Sequence, residues 1–191
     1  DMFGVFLGND TINGDLGNDT VHAGNGNDFV FGGGGADSVR GENGNDTLFG
    51  NSGADSIEGG AGDDSVGGGA GNDLIFGEDA TATGASGNDT LVGDQGNDTV
   101  SAGPGNDFVF GGSGNDVING ESGNDVLNGN SGADTINGGT DSDQLIWKLA
   151  DGDDLFLSDG GGATVSVKGT NGADSIMVDI SGTGSGVAIV A

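Results

Sequence analysis

The chain has 191 residues, of which 46 are glycine, 31 acidic and three basic, for a formal charge of −28. Such a chain buries too little apolar surface to offset its conformational entropy unless something neutralises the acids. With only Arg40, Lys148 and Lys168 as cations, nucleic acid and anionic membrane surfaces are excluded as partners. No apolar run is long enough for membrane insertion as a helix.

Residues 1–143 form a repeat array. An aspartate recurs every nine residues, at Asp10, Asp19, Asp28, Asp37, Asp46, Asp55, Asp64 and Asp73. After one seven-residue slip it resumes at Asp89, Asp98, Asp107, Asp116, Asp125, Asp134 and Asp143. Two residues after each stands an aliphatic: Ile12, Val21, Val30, Val39, Leu48, Ile57, Val66, Ile75, Leu91, Val100, Val109, Ile118, Leu127, Ile136 and Leu145. The unit reads G-x-x-G-N-D-x-U-x, with U aliphatic; Ala23 and Ala102 replace the first glycine, and Asp141 replaces the fourth-position glycine. A solvating acidic tail has no reason to keep this register.

A longer duplication lies over the repeat. Residues 8–61 align with 87–140 at an offset of 79, with 38 identities in 54 positions. The offset is eight units plus the slip, so an insertion near residues 77–83 belongs to the duplicated unit. Residue 1 is itself an aspartate nine before Asp10, so the chain is expected to be a piece of a longer polypeptide. The lack of cysteine fits a secreted bacterial protein.

Residues 144–191 read differently, as short alternating strands between glycine-rich turns. Repeat stacks need an atypical end. This segment is expected to be a C-terminal β-rich cap, with Trp147 as its anchor.

A glycine-rich stretch followed by three residues with an apolar centre is a turn plus a minimal strand. Nine residues then make half a coil and eighteen a full coil, so the predicted fold is all-β, with two parallel sheets. Turns eighteen apart stack at about 4.8 Å. One edge carries Asp10, Asp28, Asp46, Asp64, Asp89, Asp107, Asp125 and Asp143; the other carries Asp19, Asp37, Asp55, Asp73, Asp98, Asp116 and Asp134.

Stacked bare carboxylates repel, and a hard divalent cation in each gap removes the repulsion. Two carboxylates plus turn carbonyls give an all-oxygen shell of about six, which suits calcium. The candidate carbonyls belong to Gly14, Gly17, Gly26, Gly32, Gly35, Gly41, Gly44, Gly50, Gly53, Gly59 and Gly62. In the second half they belong to Gly93, Gly96, Gly105, Gly111, Gly114, Gly120, Gly123, Gly129 and Gly132. Seven gaps on one edge and six on the other allow up to about 13 calcium ions, or +26 against −28. That count is an upper bound, because the insertion before Asp89 can spoil one site.

The unit resembles the RTX nonapeptide, GGxGxDxUx, over residues 8–143. The resemblance implies a right-handed parallel β-roll, secretion by a type I system, and folding on meeting extracellular calcium. It also implies that Asp143 to Lys148, with Asp151 to Asp154, belong to a capping region, and that a C-terminal secretion signal falls within residues 144–191, where the apolar end Val187 to Ala191 stands. Asp141 departs from the pattern and puts the geometry of the last site in question.

No catalytic constellation is present, and the repeat explains nearly all the aspartates. His22, with no His or Cys partner, is an outward surface residue. The Asn-Asp-Thr sequons at Asn9, Asn18, Asn45, Asn88 and Asn97 are generated by the repeat itself. Residues flanking the buried aliphatic point outward. Phe29, Phe31, Phe49, Phe108 and Phe110 then share the outside of one sheet, with Val92 and Ile146; the other sheet offers chiefly Leu74 and Phe76. That face is a candidate for self-association or for a neighbouring domain.

The leading functional reading is a non-enzymatic, extracellular calcium-binding module with a structural role in a surface layer or fibre protein. The alternative is the C-terminal secretion and folding module of an exported enzyme such as a protease, lipase or epimerase. A calcium-dependent glycan-binding module is a third. The sequence upstream of Asp1 discriminates between the first two.

Overall fold

The computed structural model describes residues 2–3, 6–78, 86–148, 154–157, 164–168, 177–179 and 188–190. Every strand pairing among them is parallel, and they form two sheets. The chain crosses from one sheet to the other at each turn, so neighbours within a sheet are alternate strands in sequence. The first sheet includes Thr20–Asn25, Ser38–Asn43, Ser56–Ala61, Leu74–Phe76, Thr99–Pro104, Val117–Ser122 and Thr135–Asn137. The second includes Thr11–Asn13, Phe29–Gly34, Thr47–Ser52, Ser65–Ala70, Thr90–Gln95, Phe108–Ser113 and Val126–Ser131. The result is the two-sheet β-solenoid that the nine-residue period predicts.

The core is two columns of single residues. In the first sheet Val21, Val39, Ile57, Ile75, Val100, Ile118 and Ile136 are in register. In the second Ile12, Val30, Leu48, Val66, Leu91, Val109, Leu127 and Leu145 are in register. All are buried. One aliphatic per nine residues suffices because each is covered by its neighbours above and below and by the facing sheet.

Most strands are six residues long, not the expected three. Pairing resumes beyond a kink at the second repeat position, so Gly24 faces Glu42 and Asn25 faces Asn43. The kink needs a positive φ, and side-chain-bearing residues accept it at Glu42 (77°) and Asn51 (74°). Neighbouring turns hold them there by stacking.

The slip leaves this register untouched. Val66 pairs Leu91 and Ile75 pairs Val100, a separation of 25 residues where the regular repeat has 18. Residues 79–85 of the insertion lie outside the described residues. The side chain of Trp147 does too.

Beyond Leu145 the two sheets continue. Gln144–Lys148 pairs with Val126–Ser131 and with Thr164–Lys168. Leu155–Leu157 pairs with Thr135–Asn137, which places Phe156 beside Ile136 as a fully buried core residue.

The outward face of the second sheet carries the predicted aromatics. Phe31 and Phe49 face each other across paired strands with ring centroids 5.6 Å apart and planes at 18°. Phe29 packs edge-on against Phe31 at 4.9 Å. Phe49 also leans over Gly67, whose position has no β-carbon to obstruct it. Phe108 remains half exposed. On the first sheet Leu74 is joined by Val117 as an exposed apolar residue, which the sequence reading did not single out.

Truncating the core should separate these roles. Phe156→Ala in saturating calcium should cost about 3–5 kcal/mol, read as a lowered thermal midpoint, while Phe108→Ala should cost less than about 1 kcal/mol. Equal losses would mean that residue 156 is not part of the stack.

Candidate metal centre

Each repeat aspartate sits where a turn becomes a strand, and three of its groups are used for stacking. Its carbonyl accepts the N–H of the residue that opens the strand one turn on, as in Phe29 N–H to Asp10 O at 2.9 Å. Its N–H donates to the Oδ1 of the aspartate one turn on, as in Asp28 to Asp46 at 2.7 Å. That bond recurs along both edges at 2.7–3.1 Å.

Both predicted edges are therefore real columns. One runs from Asp10 through Asp28, Asp46, Asp64, Asp89, Asp107 and Asp125 to Asp143. The other runs from Asp19 through Asp37, Asp55, Asp73, Asp98 and Asp116 to Asp134. The slip does not break either column: Asp64 reaches Asp89 and Asp73 reaches Asp98, each at 2.8 Å. The bond next to Asp141 is the longest, Asp125 to Asp143 at 3.1 Å. The second column does not stop at Asp134. Its N–H donates to Asp154 Oδ1 at 2.9 Å, although Asp154 lies 20 residues on and was read only as part of the cap.

The remaining carboxylate oxygen is the chemically telling one. Oδ2 of Asp28, Asp37, Asp46, Asp55, Asp64, Asp73, Asp89, Asp98, Asp107, Asp116 and Asp125 is buried and accepts no hydrogen bond. A buried charged oxygen left in that state is costly. Apart from those of Asp28 and Asp107, whose units carry Ala23 and Ala102 at the first position, each such oxygen faces a cradle roofed by a carbonyl from the next turn. A β-carbon placed on Gly59 would lie 2.6 Å from Asp64 Oδ2 and 2.5 Å from Gly77 O. One placed on Gly120 would lie 2.5 Å from both Asp125 Oδ2 and Gly138 O. These are contacts no carbon tolerates, so a glycine at the first position is what lets the buried carboxylate oxygen and the roofing carbonyl, both hard oxygen donors, come together.

The predicted carbonyls fall into two sets. Those of Gly32, Gly50, Gly59, Gly93, Gly111 and Gly129 roof such cradles; Gly14, Gly41 and Gly120 form cradle floors. Those of Gly17, Gly26, Gly35, Gly44, Gly53, Gly62, Gly96, Gly105 and Gly114 press instead on the α-carbon side of the fourth-position residue one turn on, with Gly123 and Gly132 beneath the last two. Gly68, Gly77, Ala102 and Gly138 also supply roof carbonyls and were not named from sequence; their common first position in the repeat was the available signal. Ala23 and Ala102 carry buried methyls at the first position, where the other units keep glycine.

Among the described residues no three His, Cys, Asp or Glu side chains converge on one point. The donor set is one carboxylate oxygen with backbone carbonyls, all hard oxygen, which fits calcium and not zinc. His22 lies away from the cradles, its Nδ1 3.0 Å from Glu42 Oε1.

Burial dominates the electrostatics. It pushes Asp64 up to about 8, Asp89 and Asp125 to about 7, and Asp46, Asp73, Asp107 and Asp116 to about 6. The bond from the preceding aspartate's N–H opposes this, and the charges of stacked neighbours add to it. The sequence reading made mutual repulsion the problem that a cation solves. The larger problem is lost hydration.

The chain belongs to a recognisable class: a parallel β-roll whose turns carry regularly spaced oxygen cradles. The family model for the RTX calcium-binding nonapeptide repeat matches residues 6–39, 40–79, 83–118 and 110–145. The protein is therefore a member of the RTX repeat family, and the array is a calcium-binding β-roll module. No curated protein matches the chain.

The raised carboxylates fix a sign. Unfolded aspartates ionise near 3.8, while Asp46, Asp64, Asp73, Asp89, Asp107, Asp116 and Asp125 in the fold ionise at about 6 to about 8, so the metal-free fold holds more protons than the unfolded chain across that window. Its stability should fall as pH rises from about 4 to 8. Metal-stripped protein should gain β signal in circular dichroism on acidification from pH 8 to 5; a flat or falling signal would contradict burial as the dominant effect.

Proposed function

We propose that this chain is an extracellular structural module of a secreted bacterial protein, unfolded during export and folded by calcium outside the cell. The observation that carries the calcium-driven folding is the row of buried, unbonded Oδ2 atoms facing carbonyl-roofed cradles. Without a cation each represents a desolvated charge, so the array opposes its own folding. With one, each cradle becomes part of an oxygen shell and binding free energy becomes folding free energy. Extracellular calcium modules have dissociation constants on the order of 0.1–1 mM, which leaves the chain unfolded at cytosolic calcium. Secretion by a type I system is part of this reading and rests on family resemblance.

The aspartates of both columns and the first-position carbonyls are the proposed ligands. The thirteen gaps between repeat aspartates, with one more from Asp134 to Asp154, set the ceiling on ions, and the methyls of Ala23 and Ala102 lower it. The 144–191 segment is proposed as the terminal cap. Circular dichroism should show a coil-like spectrum in chelator and a β spectrum in millimolar calcium at pH 7.5. A folded spectrum in chelator would refute calcium-driven folding.

A structural role is further supported by the aromatic face. Phe29, Phe31 and Phe49 cluster within 5.9 Å of one another, and Phe108 and Phe110 repeat the pattern four strands on. We read this face as the surface for lateral association with another copy. The double substitution Phe31→Ser and Phe110→Ser should abolish calcium-dependent self-association in sedimentation while preserving the β spectrum. Unchanged assembly would remove the face from the proposal.

A further inference from the structure

The second repeat position normally faces outward. Glu42 and Glu121 stand there with φ of 77° and 73°, bonded at the surface to His22 and Ser101. Glu78 follows first-position Gly77 and so occupies the same repeat position, yet it is 8 % exposed and, among the described residues, is not one with positive φ. Its side chain is turned in. Gly87 N–H faces it, but neither carboxylate oxygen completes a hydrogen bond.

Where it points is equally distinctive. In regular turns a β-carbon on second-position Gly33, Gly60, Gly69, Gly112 or Gly139 would meet the backbone carbonyl of the residue one turn back. On Gly103 it would meet the Glu78 side chain instead, with Cγ at 2.5 Å and Cβ at 3.1 Å. Here the stem of the Glu78 side chain lies over Gly103 where regular turns present a backbone carbonyl. The charges of Asp89 and Asp107 act on Glu78, and Glu78 acts on Asp64. Among the described residues no basic side chain pairs with this group, as Arg40 does with Glu58 at 3.3 Å.

We propose a further calcium site beside the slip, in which Glu78 adds a carboxylate to the column at Asp64, Asp89 and Asp107, and that it fills at lower calcium than the regular cradles. The inference rests on the calcium reading above. Ligand charge and rigidity set affinity in oxygen-ligated calcium sites, and this site has one more anionic donor than a regular turn. The side chains do not yet converge on one point, so filling draws Glu78 onto the column. The insertion then does more than interrupt the repeat: it places the first ion mid-array, from which stacking proceeds in both directions.

The test is a calorimetric calcium titration of the full chain, repeated with terbium as a luminescent probe. The unsubstituted chain should show a tight first step before the regular sites fill. Glu78→Gln should remove one ion and raise the half-saturation of the first step on the order of tenfold, with the final β spectrum unchanged. Glu78→Asp, which keeps the carboxylate, should retain the tight step, and Glu121→Gln should not alter it. An unchanged first step in Glu78→Gln overturns the site, as does an equal effect of Glu121→Gln. Failure of Glu78→Gln to reach the β spectrum at saturating calcium also overturns it, by making Glu78 a structural residue. Calcium binding absent from the unsubstituted chain would sink the wider calcium reading as well.

Discussion

The fold depends on how one residue type divides its work. A repeat aspartate gives its N–H and its carbonyl to neighbouring turns and one carboxylate oxygen to the N–H of the turn before. The other oxygen is left buried and without a protein donor in most of the column. The same side chain therefore glues successive turns and blocks their collapse. A hydrogen bond to an ionised group contributes about 1.5–3 kcal/mol, while burying an uncompensated charge costs several kcal/mol. The balance is negative for the bare chain, and a divalent ion changes its sign because it compensates the charge without disturbing the hydrogen bond.

Glycine completes the arrangement by leaving space rather than by lending flexibility. At Gly59 and Gly120 the missing β-carbon lets the carboxylate and the roofing carbonyl close over the turn. A substitution there would drive a methyl into both oxygens. Ala23 and Ala102 show that the stack tolerates this at two places, both fully buried. The nonapeptide thus encodes core and metal shell from one period: the aliphatic two residues after the aspartate fills the interior, and the glycine five before it empties the turn.

Much of this was legible in the sequence because it depends only on spacing. The fifteen aliphatics, the division of aspartates into two columns and the outward phenylalanines all follow from period nine and strand alternation. What spacing could not show lies where the period fails. Asp154 and Phe156 continue the column and the core at a separation of 20 residues from Asp134 and Ile136, so a reader keyed to 18 places them in the cap. The six-residue strands were missed because the second half of each is glycine-rich and has no apolar signal. Glu78 was invisible for a different reason: it shares residue type and repeat position with Glu42 and Glu121, and only the backbone turns it inward.

The slip explains how a strict repeat accepts an insertion. A one-residue shift within a strand would send the whole aliphatic column to the outer face. Seven residues placed after Glu78 leave the strands on either side unshifted, because the pairing of Val66 with Leu91 and Ile75 with Val100 is set by stacking and not by chain length. Lengthening a turn costs only a slowly growing loop entropy. The constraint that survives is electrostatic: the aspartate after the insertion must still meet Asp64, and Asp89 does so at 2.8 Å. An insertion in this array is thus limited less by its length than by whether it returns a carboxylate to the column.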